Sequence, residues 1–466
     1  MGRFPRRRRL AGWLPAAMLL ALSGCASYAP EPLGNGHGTV NLNQLVVPAS
    51  SMPVRDLAAH RFDPADGLDV TETAMLAVVN NPQLKVMRDQ LGVARAQAFA
   101  AGLLPDPQLA WSRDLPSSGQ SGLTSAYSLG LSYDIGNLLT RSARVKAADK
   151  SREQVHLDLL WAEWQTVAQA RLLFDQVTSS RAQEAVLTRE VAALKPLDRQ
   201  VRVALASGNL SYDGAAVGLN AMADAQRRLA ETTRQRQQAE SDLRSLLGLS
   251  SRAPLDLVGA PYGREPDAAQ LQQALQSLPA RRPDLLALRA GYAAQEQRLR
   301  EAVIAQFPAI NIGINRARDT SDVTTNGFSI GITLPLFNRN RGNIAIEKAT
   351  RQQLHDDYDA RLLTTRNDMH QLQQGLTSLQ AQTAMQEAHA RRLDAARAAA
   401  RQAWQANLMD WPTYLSIRGN ALTADLDLLA LRQQRATQAI ALETLLGGDW
   451  TAQAMSATSP SSNRHK

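Results

Sequence analysis

Two stretches decide the fold: Tyr127-Ser128-Leu129-Gly130-Leu131-Ser132-Tyr133-Asp134-Ile135 and Gly327-Phe328-Ser329-Ile330-Gly331-Ile332-Thr333-Leu334. In both, large apolar residues alternate with Ser, Gly, Thr or Asp. That is the period-2 pattern of a strand with one apolar and one small, polar face. Ala309 to Asn315 alternates the same way, with Ile310, Ile312 and Ile314 set against Asn311, Gly313 and Asn315. Gln108 to Asp114 is a weaker case, carrying Leu109 and Trp111 on one face. A soluble sandwich strand alternates likewise, but this length and polarity match outer-membrane barrel strands, apolar toward lipid and polar toward a lumen. The sequence shows four such strands. Lipid tolerates only closed barrels, because an open edge leaves backbone groups unpaired at several kcal/mol each. The smallest bacterial single-chain barrels have about eight strands. More than one copy is therefore required. Two copies give a barrel nearly filled by its own side chains, and three or more leave a channel.

Around these strands the chain repeats itself after about two hundred residues, and such internal repeats imply two similar structural units. Asn81-Pro82-Gln83-Leu84 recurs as Arg282-Pro283-Asp284-Leu285, Leu129-Gly130-Leu131-Ser132 as Ile330-Gly331-Ile332-Thr333, and Leu246-Leu247-Gly248 as Leu445-Leu446-Gly447. Each unit reads as a helix, two strands, one very long helix, a turn, and a helix running back. In the first, Thr71 is placed to cap a helix ending near Asn80, Pro82 restarts it, and residues 141 to 205 are expected to be helical, with a kink or break at Pro196. Ser207-Gly208-Asn209 turns the chain and 212 to 247 returns. In the second, helices are expected over 267 to 278, 283 to 305, 342 to about 405, and 412 to 446, with a turn at Ala406-Asn407-Leu408. Helices this long suggest lateral packing in a coiled coil or a repeat, and they are too charged to lie in lipid. The expected organisation is a signal over 1–24, an extended arm over 25–67, the first repeat over 68–248, a linker over 249–266, the second repeat over 267–447, and a disordered tail over 448–466. The two repeats should interlock, since neither has a core of its own.

The front end carries Arg3 and Arg6 to Arg9, then an apolar stretch from Leu10 to Leu22 that is too short to span a bilayer. It closes on Leu22-Ser23-Gly24-Cys25, which resembles a bacterial lipobox. Cys25 is the sole cysteine, so no intrachain disulfide forms, and the thiol stands where lipid would be attached. By the same resemblance, Ala26 rather than Asp after the cysteine favours the outer membrane. Acyl chains contribute about 0.8 kcal/mol per buried methylene, and several anchor a protein stably. The formal charge of +8 is mostly the five signal arginines. The remainder is nearly balanced and has no basic run with interleaved aromatics, so nucleic acid is not an expected partner.

Catalytic and cofactor patterns are lacking. There is no HExxH and no phosphate-cradling glycine loop opening a helix. Gly327-Phe328-Ser329-Ile330-Gly331 matches the GxSxG string, but a nucleophile elbow needs its Ser on a strand-to-helix turn, and Ser329 sits inside an alternating strand. Met385 and His389, four apart, could touch a soft metal, though a solvated His beside a packing Met has the same spacing. No enzyme activity, cofactor or resident metal is expected.

The duplicated Pro-containing segments, the strand pairs ending Tyr133-Asp134-Ile135-Gly136 and Leu334-Pro335-Leu336-Phe337, and the turns Ala206 to Ser211 and Gln405 to Asp410 together resemble the TolC-type outer membrane efflux factors, of the lipoprotein-anchored kind. The resemblance covers about 68 to 447. It implies a mainly α chain with a small β part: three copies form a twelve-strand outer-membrane barrel, continued by a long periplasmic helical barrel. It also implies a periplasmic adaptor docking on the turns (Gly208, Asn209, Leu210, Ser211; Asn407, Leu408, Met409, Asp410) and an inner-membrane transporter behind the adaptor. Family members usually carry Gly in the turn; Asn407 tolerates the same left-handed backbone. Some members ring the closed end with Asp, but the matching gate-lining positions here are Thr413 and Ser416, so a carboxylate gate is not implied. Pro335 to Asn343 resembles the branch serving cobalt–zinc–cadmium-type efflux, as does Gly102 to Pro107 more weakly. Metal cations and drugs or other small molecules both stay open as cargo. A polypeptide secretion duct shares this fold. A structural envelope lipoprotein would have no use for four lipid-facing strands. The lipobox predicts that mass spectrometry of the mature N-terminus will find a lipid-modified Cys25; an unmodified terminus elsewhere would refute the anchor.

Overall fold

The computed structural model describes residues 28–34, 40, 42, 45–117, 122–260, 268–449 and 451. The signal, Cys25 and nearly all of the tail lie outside them. Met1–Gly38 and Thr39–Lys466 are separate compact units, and the second holds all the described helices and strands.

The elements run α1 (Val70–Asn80), α2 (Pro82–Gly102), β1 (Gln108–Asp114), β2 (Ala126–Asp134), α3 (Gly136–Ala206), α4 (Tyr212–Leu246), then α5 (Ala268–Arg281), α6 (Pro283–Ile304), β3 (Ala309–Arg318), β4 (Thr324–Thr333), α7 (Arg341–Gln405) and α8 (Trp411–Leu446). The order in the first repeat is thus reproduced in the second. At 1.5 Å per residue, the 71-residue α3 is about 105 Å long. It packs along α6, α4 and α2, and α7 packs along α8 and α6.

The helix starts follow local chemistry, with two departures from expectation. Asp69, not Thr71, caps α1: its carboxylate accepts from the Thr71 and Glu72 amides at 2.7 Å, and Glu72 reaches back to the Asp69 amide. That reciprocal capping box outranks a lone Thr. Pro196 does not break α3. Val191 and Leu194, just before it, pack against Met222, Ala225 and Leu415, and this burial on neighbouring helices holds the turn that proline weakens.

The main core lies partway along α3. Leu157, Trp164, Val167, Phe174 and Val177 pack there against α1, the end of α4 and the segment after it. Val47, Met52, Val54 and Leu57, from the expected arm, and Leu249, Leu255 and Leu257, from the expected linker, are buried in the same core. Neither segment has a period to reveal this. Segments before the first repeat and after the second also meet here, where the Arg55 amide donates to the Asp449 carbonyl and the Thr451 amide to the Pro53 carbonyl, both at 2.8 Å.

The sequence landmarks converge at this level. In the first repeat, Asn81 Oδ1 accepts from the Leu84 amide at 3.0 Å while Nδ2 donates to the Leu246 carbonyl at 2.8 Å; beside it Asn80 Nδ2 donates to the Leu247 carbonyl at 2.7 Å. Gly248 follows with φ of 63°, and a Cβ there would collide with the Asn80 carbonyl. In the second repeat Arg282 takes the part of Asn81. Its Nη1 donates to the Leu445 carbonyl at 3.4 Å, its Nε and Nη2 fork onto Asp284 at 2.7 Å each, and its guanidinium lies 4.6 Å from the Trp161 ring centre. One helix start thus satisfies the last carbonyls of the returning helix in each half, groups that would otherwise be buried without partners. Trp164 Nε1 adds a bond to the Thr444 carbonyl at 2.9 Å, and Arg171 pairs with Glu443 at 3.1 Å.

The four strands form one antiparallel sheet in the order β1-β2-β3-β4. Pairing of β2 with β3 joins the two repeats. β1 and β4 are the sheet's edges. Asn81→Ala removes a cap and orphans a buried carbonyl, so it should lower stability by about 2–3 kcal/mol. The check is thermal unfolding followed by helical circular dichroism against the exposed control Gln83→Ala; equal melting of the two variants would show that the junction contributes nothing.

Candidate functional site: two helical turns and the clasp behind them

The turns are built alike. In the first, α3 ends at Ala206, Gly208 takes φ of 75°, and its amide donates to Leu205 at 3.1 Å while the Leu210 amide reaches Ala204 at 3.2 Å. Ser211 then caps α4, its Oγ accepting from the Gly214 amide at 3.2 Å. In the second, Asn407 takes φ of 58°; its amide donates to Trp404 at 3.0 Å and the Leu408 amide to Ala403 at 2.8 Å, a Schellman pattern. Asp410 caps α8 through the Thr413 amide at 2.9 Å. Hydrogen bonds from Thr413, side chain first and backbone second, hold the Asp410 carboxyl below the usual carboxylate range. The left-handed residues expected at Gly208 and Asn407 are therefore both present. Around them Val203, Tyr212 and Leu408 are exposed apolar side chains, and Asn209, Met409 and Asp410 complete the two turns.

Thr413 and Ser416 are exposed on α8, three residues apart and so on one face, while Tyr414 and Leu415 point into the packing. Behind the turns lies a cleft of about 870 Å³ between α3 and the α7–α8 hairpin, lined among others by Glu190, Pro196, Arg397, Trp404 and Tyr414. At its floor Arg418 forks onto Glu190, Nε to Oε1 at 2.7 Å and Nη2 to Oε2 at 2.8 Å. Its third nitrogen donates to the Tyr414 hydroxyl at 3.1 Å, and the Tyr414 ring stacks on Trp404 with centres 5.1 Å apart. Burial alone would lower the Arg418 pKa; the Glu190 bonds outweigh it and raise it. Arg397 ties α7 to Asp425 of α8 at 3.1 Å. The clasp joins residues 228 positions apart, so nothing local in the sequence announces it.

At the other end the register fixes two faces. Leu109 pairs with Leu131, Leu131 with Ile314 and Ile314 with Phe328, all on one side. Gly130 pairs with Asn315 and Ser132 with Gly313, whose next partner is Ser329, on the other. Ser329 is thus mid-strand, away from any strand-to-helix turn. Among the described residues one group, His60, Asp69 and Glu72, brings metal-type ligand atoms within 4.8 Å of one another. Its carboxylates are already engaged as the capping box of α1, with Glu72 Oε1 also accepting from the Asp63 amide at 2.8 Å. Met385 and His389 are both exposed on α7. No described helix is long and apolar enough to cross a membrane.

Residues 274–448 match the model of the family described as outer membrane efflux protein. The chain is 28% identical over 323 residues to the cobalt-zinc-cadmium resistance protein CzcC of Cupriavidus metallidurans, covering 65% of this chain and 72% of that one. In fold it is similar to a membrane protein from Pseudomonas aeruginosa, with a TM-score of 0.71 at 19% identity over 91% of this chain and 97% of that one. It is similar also to the CmeC outer membrane channel of Campylobacter jejuni, with a TM-score of 0.69 at 15% identity over 91% and 94%.

Arg418→Ala leaves Glu190 buried and uncompensated, so it should destabilise the chain by about 3–5 kcal/mol. Pairing it with Glu190→Gln should recover part of that. A double-mutant cycle read by thermal unfolding decides, and a coupling energy near zero would mean the clasp is not made.

Proposed function

We propose that the chain is a member of the outer membrane efflux protein family, whose model its residues 274–448 match, and that it is the outer-membrane channel of a tripartite efflux pump, a passive conduit for metal cations. The observation that carries the conduit is the sheet itself. Strands of nine and ten residues at β2, β3 and β4 have the length of a barrel strand tilted across about 25 Å of lipid, and the edges at β1 and β4 call for other copies. Three copies give twelve strands and a lumen faced by Ser128, Ser132, Asn311, Asn315 and Ser329. Asp114 and Asp134 share this face at its two ends, and the small, neutral side chains between them suit passage rather than capture.

The two turns lie at the ends of α3 and α7 remote from the sheet, where a periplasmic adaptor would meet exposed Leu408 and Tyr212 and the polar residues Asn209 and Asp410. Thr413 and Ser416 face the bore beside them. A transporter in the inner membrane, reached through the adaptor, supplies the energy. Acylated Cys25 tethers each copy to the membrane. Metal cations are favoured as cargo by the likeness to CzcC and by Pro335-Leu336-Phe337-Asn338-Arg339-Asn340 at the exit of β4.

Deleting the gene should sensitise cells to cobalt, zinc or cadmium more than to organic toxicants, and should leave secretion of polypeptides unchanged; the reverse order of sensitivities would reject metal cargo. Gly208→Val combined with Asn407→Val forces β-branched residues into left-handed backbone at roughly 1–2 kcal/mol each. This variant should assemble in the outer membrane at normal level yet fail to restore resistance. Full resistance at normal level would show that the turns are not the docking end.

A further inference from the structure

The outward face of the sheet is not wholly apolar. Register places Arg113 of β1 opposite Tyr127, Tyr127 opposite Arg318 of β3, and Arg316 opposite Leu129, which in turn pairs with Trp111. Arg113, Arg316 and Arg318 therefore share the face of Leu109, Leu131, Ile312, Ile314 and Ile330. Every strand position on that face is free of carboxylates.

The three arginines are also at one end. α2 leads into β1, β2 leads into α3, α6 leads into β3, and α7 follows β4, so the helices attach at Gln108, Asp134, Ala309 and Thr333. Arg113, Arg316 and Arg318 cluster at the opposite, hairpin end. With the helices in the periplasm, that end is the outer leaflet; here the inference rests on the function proposed above.

Their local partners differ. Arg318 is tied down, paired with Asp322 at 3.1 Å, bonded to the Ser125 carbonyl at 3.3 Å and lying 5.6 Å from the Tyr127 ring centre. Arg113 is exposed and donates only to Ser125 Oγ at 3.4 Å. Arg316 is exposed and has no hydrogen-bond or ion partner among the described residues. It stands one pair deeper than Arg318, level with Trp111, where a lipid-facing guanidinium must extend to the headgroups. Charge on this face is tolerated near the interface and not at mid-membrane, and all three arginines obey that rule. Tyr127 stands level with Arg113 and Arg318, and Trp111 one pair deeper with Arg316, as aromatics do at the edge of the hydrocarbon.

We propose that Arg113 and Arg316 of each copy hold the phosphate groups of outer-leaflet glycolipid, with Arg318 and Tyr127 forming the fixed wall of the site. Two planar, always-charged forks without carboxylate partners among the described residues, facing headgroups from the two strands that flank β2, suit a phosphorylated glycolipid, because guanidinium binds phosphate oxygens in pairs. The third arginine, held by Asp322, shapes the site rather than carrying it.

The test uses the full-length channel purified from outer membranes, with native mass spectrometry counting glycolipids per assembly. The wild type should retain phosphorylated glycolipid, and R113Q/R316Q should bind added diphosphorylated lipid A about tenfold more weakly. Dephosphorylated lipid A should bind both proteins alike and weakly, and inorganic phosphate alone should not compete. Unchanged binding in R113Q/R316Q overturns the site, equal binding of the dephosphorylated lipid overturns the role of phosphate, and competition by inorganic phosphate overturns the lipid assignment. If the double variant fails to assemble, R113Q alone and R316Q alone are measured in its place, each expected to bind more weakly than wild type. Failure of the wild type to form a membrane barrel would instead reject the channel reading, and that outcome is separate because it shows in assembly rather than in lipid count.

Discussion

An open sheet edge cannot stand in lipid, and that constraint governs this chain. β1 and β4 each present a row of backbone donors and acceptors that no described strand of the same copy meets. Closure by further copies is the physical remedy, and the rest of the molecule is consistent with making it. The long helices need lateral neighbours. Val86, Val93 and Phe99 of α2 and Ile346 and Leu363 of α7 are apolar residues left exposed on a single copy.

Within one copy, the order comes from a junction rather than from a large globular core. Each return helix would end in buried, unmatched carbonyls. Asn80 and Asn81 answer them in the first half, and Arg282 in the second. The two solutions differ chemically. An amide caps and donates with one side chain. An arginine donates but cannot accept, so Asp284 neutralises it and Trp161 covers its face. The duplication has kept the place and the task while changing the residue.

The strands and turns were the most legible parts. Gln108 to Asp114 is a strand with those bounds, and Gly208 and Asn407 are left-handed, because period-2 alternation and chain reversal are local properties. Where the reading fell short, the deciding contact was distant or competing. Asp69 displaced Thr71 because Glu72 completes a box with it. α3 starts at Gly136 rather than near 141, since Asp134 Oδ1 receives the Gly136 amide at 2.8 Å and extends the first turn. Residues 47–57 and 249–257 joined the core without any period to show it. Glu190 and Arg418 each read as one charge among many on a solvated helix; only the folded chain brings them together.

The meeting of residues 53–55 with residues 449–451 carries a topological consequence. With Arg55 bonded to Asp449 and Thr451 to Pro53, the segment before the first repeat and the segment after the second lie at one spot. Proximity of this kind is what lets a chain be circularly permuted. Residues near 53 and 451 could be joined at the core and the chain reopened at Asn209 or at Leu408, where exposed turns join the helices. The junction that holds the halves would stay uncut, and the order in which the ribosome releases the two repeats would be exchanged.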